Sequence, residues 1–238
     1  GRRNNIMPAV SIAAVGQSGA HRPDRGEKHA LHTAWHFAIA GSGGGKQKKG
    51  KGSGAWEKGV KPLPSFSYAE DFWSQYARLV VPSAMPLGVT VYLFRAGLSP
   101  SWEAWPEGGA WSVAIPRESG NAQLLDSAWE ALALAAIGES LSRDPDELCG
   151  CALSLRASEA RLQLWTRQSQ DEATQRAIAD RVRVLLHMLP AEAELSYVPH
   201  TSKRKELASR SSAARGGAQG GAAKEPQEAG GQEPLYVQ

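Results

Sequence analysis

Cysteine is nearly missing: the 238 residues contain only Cys149 and Cys151. A lone C-x-C can build neither a disulfide framework nor the four ligands of a structural zinc, so a reduced, intracellular protein is expected, cytoplasmic or also nuclear. No run approaches the ~20 apolar residues of a membrane span, and the Arg- and Gly-containing start has no apolar signal core. Membrane association is therefore not expected. Catalytic signatures are also lacking. There is no G-x-S-x-G elbow, no H-E-x-x-H, and no G-x-G-x-x-G between a strand and a helix. The nearest approach to a triphosphatase loop fails twice, with Ala40 in place of the first Gly and Gln47 after Gly45-Lys46. His29, His32 and His36 lie close together but lack Cys or carboxylate companions, so no metal and no cofactor are expected, and an enzyme is the weaker class.

Positive charge is scarce where the chain can fold. Nine of the 27 Lys and Arg fall in residues 1–54 and six in residues 201–238, leaving a balance of −6 over residues 55–200 despite the overall +3. An acidic domain is poorly suited to gripping nucleic-acid backbones broadly, so any phosphate must be held by a few placed groups. Apolar residues make up 42% of the chain, enough for one domain with a substantial core. Tyr and Phe are few, five and four, yet there are eight Trp, the residue most used for stacking and interfaces.

Composition divides the chain into a disordered arm over residues 1–28, a domain over residues 29–203 and a disordered tail over residues 204–238. A flexible Gly/Lys loop, residues 41–54, interrupts the domain. Three helices are expected. The first follows a Ser67–Glu70 capping box and carries Phe72, Tyr76 and Leu79. The second covers about residues 124–138, with Leu125, Ala128, Trp129, Leu132, Ala136 and Ile137 on one face. The third follows a Ser169–Glu172 box and continues through Ile178 and Val182 to Leu189-Pro190. Strands are expected over residues 31–39, 89–95, 110–115, 149–156 and 161–166. In the last, Leu162 and Leu164 alternate with Arg161, Gln163 and Trp165, which implies one buried face and one available face. Strands grouped between dispersed helices make an α+β domain with a mainly antiparallel sheet.

Trp combined with charge carries the functional signal. Trp56 follows the Gly/Lys loop, Trp102 precedes Glu103 in Ser101-Trp-Glu-Ala-Trp-Pro-Glu, and Arg156 and Arg161 flank a tight turn before Leu162-Gln-Leu-Trp165. A single Trp beside a turn is ordinarily a packing residue. Two indoles able to face each other, with a carboxylate beside one and two Arg at a strand pair's end, instead suit a flat cationic base bearing phosphates.

These residues resemble the translation initiation factor 4E family, the messenger RNA cap-binding proteins. The resemblance covers roughly residues 29–203. It is carried by Ala69-Glu-Asp-Phe-Trp73, Leu93-Phe94 with Gly97, Pro100-Ser-Trp102-Glu103, Gly108-Gly-Ala-Trp111, Trp129 with Ile137-Gly-Glu139, Cys149-Gly150, Leu155-Arg156 and Leu164-Trp165. It implies a curved, mainly antiparallel sheet of about eight strands backed by three helices on its convex face.

For the site, the resemblance implies that Trp56 and Trp102 sandwich 7-methylguanine, that Glu103 reads N1 and the exocyclic amine, and that Trp165 lies near the N7 methyl. Arg156 and Arg161 match phosphate-binding positions, and His200 and Lys203 are further candidates for the cap's far end. Trp73, Leu134 and Gly138 match a surface that receives a helix from scaffold initiation factor 4G or 4E-binding proteins carrying Tyr-x-x-x-x-Leu-apolar. Trp111 and Trp129 read as core.

Departures are equally specific. Ala38 stands where the usual form has Trp, Ala110 where it has Arg, and Ser158 where Lys adds charge. Trp129-Glu-Ala-Leu132, Trp56-Glu57, Tyr197-Val-Pro-His200 and the inserted loop resemble the divergent second class, the 4E-homologous or novel cap-binding proteins, although Trp56 itself is the major-class residue. Cap binding in initiation is the leading expectation. A cap-occupying repressor and a protein–protein adaptor that has lost the cap are the alternatives.

Overall fold

The computed structural model describes residues 27–41, 59–117, 120–190 and 193–202. The expected arms and nearly all of the Gly/Lys loop lie outside the described residues. Eight strands form one antiparallel sheet: β1 (Ala30–Ala40), β2 (Val60–Pro62), β3 (Phe66–Tyr68), β4 (Thr90–Arg95), β5 (Gly109–Pro116), β6 (Leu148–Leu155), β7 (Glu159–Thr166) and β8 (Leu195–Pro199). Their order is β2-β1-β4-β6-β7-β5-β8, with β3 pairing a second stretch of β1. Among the described residues, α1 (Ala69–Tyr76), α2 (Ala122–Ile137) and α3 (Glu172–Leu185) back the curved sheet on its convex face, and a further helical turn begins at His200.

Side-chain alternation explains this layering, because successive residues of a strand point to opposite faces. Trp35 and Phe37 of β1, Leu93 of β4, Leu153 of β6 and Leu162 of β7 bury against Phe72 of α1, Trp129 and Leu132 of α2 and Ile178 of α3. The opposite face carries a second, smaller apolar cluster built on Ala38, Tyr92, Phe94, Ala110, Cys149, Ala152 and Trp165. The central strand β4 is therefore covered on both faces. Its apolar run Val91-Tyr-Leu-Phe94 is what such burial requires.

Both expected capping boxes are shifted. Tyr68 rather than Ser67 precedes α1, because the chain stays extended in β3 through Tyr68. Glu70 turns instead to the start of β1, accepting from the His29 N–H at 3.0 Å and from His29 Nδ1 at 2.6 Å. The helix also ends at Tyr76, before Leu79. At α3 the cap is Asp171, whose carboxylate accepts from the Thr174 N–H at 3.0 Å, while the Ser169 N–H donates to the Glu107 carbonyl. An Asp two residues nearer the helix provides the same capping oxygen. Trp129 is core as expected. Trp111 is only partly buried, packing on the core edge with its indole N–H donating to Gln175 Oε1 at 3.0 Å.

Candidate functional site

The helix-free face of the sheet grades from aromatic to charged along β7. Register places Trp165 beside Ala110 and Gly150, Gln163 beside Ser112 and Ala152, and Arg161 beside Ala114 and Ser154. Trp165 and Arg161 are four residues apart on one face, about 13 Å at roughly 3.3 Å per residue. Such a face offers an apolar floor at one end and a cation at the other, which suits a nucleotide better than a base alone.

At the aromatic end, the Trp165 ring lies 5.5 Å from Phe94 and 4.8 Å from the His200 ring, both nearly edge-on. Tyr92 continues the floor at 6.0 Å from Phe94. This floor is buried, with Phe94 fully covered, and burial pushes the Tyr92 phenol up to about 12 and holds His36 below its ordinary range.

The loop after β4 brings Trp102 to the lip of the floor. Gly97 makes its first bend with φ +82, and the Leu98 N–H donates to the Arg95 carbonyl at 3.0 Å, a turn whose third residue needs the left-handed region. Trp102 begins a short 3-10 turn, Trp102–Ala104, half-buried against the second cluster, while Glu103 is exposed.

Three neighbours hold this lip. Buried Ser101 donates its hydroxyl to the Glu103 carboxylate. The Trp105 indole N–H donates to the Ser99 carbonyl at 3.0 Å, and Arg167 lies 5.4 Å over the Trp105 ring. His200 Nδ1 donates to the Trp105 carbonyl at 2.8 Å. His200, expected near the cap's far end, is thus a buried brace behind the aromatic floor.

At the charged end, Arg156 is exposed in the β6–β7 turn, and its N–H donates to the Glu159 carbonyl at 2.9 Å. Arg161 is partly buried and ion-paired with Glu159, two residues away on the same face. Trp56 and Lys203 lie outside the described residues. Beside the Trp102 loop a hollow of about 490 Å³ is lined by His36, Ala38, Val60, Leu98 and Pro100 among others. Ala38, with its single methyl, leaves that side open.

Trp73, Leu134 and Gly138 sit on the opposite, helical side. Trp73 is 44% exposed although its ring meets Phe72 and Tyr76 edge-on at 5.2 and 5.8 Å, so the ring is held rigid and still available. Leu134 is half-buried, and Gly138 caps α2 by donating to the Leu134 carbonyl. The first half of β1 ties the two helices together. His29 binds Glu70 of α1, whereas the Thr33 hydroxyl donates to Glu139, just past α2, at 2.8 Å, with His32 Nδ1 at 2.9 Å. Glu139 also pairs at 3.0 Å with Arg95, a buried guanidinium 5.3 Å over the Trp35 ring.

The His29–Glu70 tie sets a pH dependence. Hydrogen bonding to Glu70 raises His29 above its ordinary 6.5, and the same bond lowers Glu70 below its ordinary 4.5. The histidine's share of the stabilisation is complete below 6.5 and is lost as pH rises through the raised value. The glutamate's share is present above 4.5 and is lost as pH falls through the lowered value. The tie is therefore strongest between about 4.5 and 6.5. An NMR titration of the His29 ring is expected to show a midpoint above 6.5 that falls back in Glu70→Gln; an unchanged midpoint would break the assignment.

The model of the eukaryotic initiation factor 4E family matches residues 30–215. The chain belongs to that family. A 4E isoform of initiation factor from Capsicum annuum is 30% identical over 188 residues, covering 78% of this chain and 86% of the relative. One from Arachis hypogaea is 32% identical over 167 residues, or 69% and 77%. Among solved structures, Ascaris suum eIF4E-3 in complex with the m2,2,7G cap aligns with TM-score 0.64 and 29% identity over 73% of this chain and 92% of that one. Caenorhabditis elegans eIF4E-3, bound to the 4E-binding protein Mextli and a cap analog, aligns with TM-score 0.65 and 27% identity over 75% and 96%. Initiation factors of this family are not enzymes, and the 4E fold accounts for the curved sheet and its helices.

Some residues of this 4E domain escaped sequence reading. Ser101 and Arg95 give no signal, since their roles depend on contacts made after folding. Trp105, without a role in the sequence, proves to be the wedge joining the loop to Arg167 and His200. Glu159 was legible in principle, because an acid two residues from an Arg on a strand must share its face.

Proposed function

We propose that this chain binds the 7-methylguanosine cap of messenger RNA and acts in translation initiation or its regulation. The observation that carries the reading is Trp102 at the lip of a buried aromatic floor, beside an exposed carboxylate that Ser101 holds, with Arg161 at the other end of the same face and Arg156 in the adjoining turn. Methylation at N7 makes guanine cationic, so each stacked indole gains about 0.5–2 kcal/mol over neutral guanine. Trp102 supplies one wall and Trp56 the other. Glu103 accepts from N1–H and the exocyclic amine, a charge-assisted pair that unmethylated guanine shares but does not reinforce with cationic stacking. The Trp102 backbone N–H meets O6, and Trp165 lines the N7-methyl side. Arg156, Arg161 and Lys203 take the phosphates.

Among the described residues, this face shows no group suited to turnover of the cap. Among the described residues no cluster of three potential metal ligands exists, and burial pushes the Cys149 thiol up to about 12, far from a reactive thiolate. Full-length protein applied to a 7-methyl-GTP resin is expected to be retained, to elute with free 7-methyl-GTP and to resist GTP. Elution by both nucleotides alike would refute cap recognition.

Trp73, Leu134 and Gly138 form the surface for a partner helix from scaffold initiation factor 4G or a 4E-binding protein, as the Mextli complex of the nematode neighbour supports. Buried aromatic anchors dominate such interfaces, so Trp73→Ala is expected to weaken a Tyr-x-x-x-x-Leu-apolar peptide by about 2 kcal/mol, roughly thirtyfold. Cap affinity should stay unchanged in the same variant. Calorimetry with each ligand separates the two faces, and peptide affinity equal to wild type would remove Trp73 from the partner site.

A further inference from the structure

We propose that Glu159 is a built-in competitor for the phosphate end of the cap site, which makes this chain read the methylated base more than the phosphate chain. The inference rests on the cap reading above and names a residue that determines specificity within it. Glu159, Arg161, Gln163 and Trp165 share one face of β7, because Ala160, Leu162 and Leu164 point into the helix-side core. The Glu159 carboxylate is ion-paired with the Arg161 guanidinium, with both side chains partly shielded at 25% and 35% exposure. Its backbone carbonyl also receives the Arg156 N–H across the β6–β7 turn. The acid is thus bound to one of the two proposed phosphate arginines, Arg161, while Arg156 meets Glu159 through the backbone.

Among the described residues, the register partners of this pair carry no charge, and Arg117, whose N–H donates to the Ser158 carbonyl at 3.0 Å, lines a hollow with Ile115 and Leu125 instead. Across the sheet Arg161 meets Ala114 on one side and Ser154 on the other, and Ser154 shares a 3.1 Å hydrogen bond with Thr90. Ser158 precedes Glu159 in the turn, and Pro116 is its register partner on β5. A phosphate approaching Arg161 finds Nη2 already bound to a carboxylate; it either displaces that carboxylate or uses the remaining guanidinium donors, and in both cases it stays beside a like charge. Both effects act only on the phosphates, since the base binds about 13 Å away, at roughly 3.3 Å per residue along β7. At the base end, among the described residues, Glu103 is engaged by the Ser101 hydroxyl, which can turn away.

The test compares 7-methyl-GTP with 7-methyl-GMP, by fluorescence or calorimetry at fixed ionic strength. In the wild-type chain the triphosphate is expected to gain little over the monophosphate. Glu159→Gln keeps the hydrogen-bonding shape and removes the charge; it is expected to raise 7-methyl-GTP affinity about three- to tenfold, with 7-methyl-GMP changed less than about twofold. Glu159→Ala, with no hydrogen bond left to Arg161, should do the same. In an Arg161→Ala background the gain from Glu159→Gln should vanish, a non-additivity that a merely structural role of Glu159 would not produce. An equal triphosphate-to-monophosphate ratio in wild type and both variants would overturn the inference while leaving cap binding intact. Failure of the wild-type chain to bind either methylated nucleotide would overturn the cap reading and this inference with it.

Discussion

Replacing Trp102 with alanine is expected to cost about 2–4 kcal/mol of cap affinity, roughly thirty- to eight-hundredfold, by removing a stacked wall and its cation–π contribution. The fold should survive, because Trp102 packs only at the margin of the second cluster and stands on a three-residue turn. Its loop remains anchored by the Gly97 turn, the Trp105–Ser99 hydrogen bond and the His200 brace. Thermal unfolding within a few degrees of wild type, together with lost binding, is the expected pair of observations. Glu103→Ala removes a charge-assisted contact to the base edge and should cost about 2–3 kcal/mol. The two losses differ in kind. Trp102→Ala should sharply reduce the preference for 7-methyl-GTP over GTP, because cationic stacking is what distinguishes them. Glu103→Ala should weaken both guanine nucleotides and lessen the preference for guanine over adenine. Full cap affinity in Trp102→Ala would contradict the site.

Gly150→Ala is expected to destabilise the domain by about 3 kcal/mol, at the upper end of overpacking effects. A Cβ at Gly150 would stand 2.5 Å from the Leu93 carbonyl oxygen and 2.6 Å from two atoms of the Phe94 ring. The carbonyl belongs to the β4–β6 pairing and cannot retreat without loosening the sheet. Phe94 is flanked by Trp165 at 5.5 Å and Tyr92 at 6.0 Å, so its displacement would disturb the floor proposed to lie beneath the base. The same methyl group should therefore lower both the unfolding midpoint in denaturant and the affinity for 7-methyl-GTP at temperatures where the protein is still folded. Wild-type stability in this variant would show that the strand pair yields more than its geometry allows.

Much of this was readable before the fold was known. Alternation in Arg161–Trp165 correctly separated a buried face from an available one, and the apolar stripe of α2 located its buried side. Five strands were found within one or two residues of their bounds. β2, β3 and β8 were not, because strands of three to five residues are defined by pairing with β1 or β5 rather than by any pattern of their own. Both capping boxes failed for a common reason. A Ser three residues before a Glu is only a local preference, and at Glu70 the stronger partner is His29, just before β1, while at α3 Asp171 lies nearer.

At the site, the residue types and their order were legible, and the resemblance gave each a role. The supporting shell was not legible. Ser101, Arg95 and His200 act through contacts across 2 to 95 positions of sequence, which no spacing rule encodes. The same holds for the depth of Trp165, which is 5% exposed and serves as floor more than as wall.

The central claim is that this sheet face recognises a methylated, cationic guanine. It is tested most directly by following intrinsic tryptophan fluorescence of the full chain while adding 7-methyl-GTP, and then GTP to a matched sample. Saturable quenching by 7-methyl-GTP at concentrations at least about fivefold below those needed for GTP is the expected result, given about 1–4 kcal/mol from cationic stacking on two indoles. Equal responses to the two nucleotides, or none to either, would contradict it.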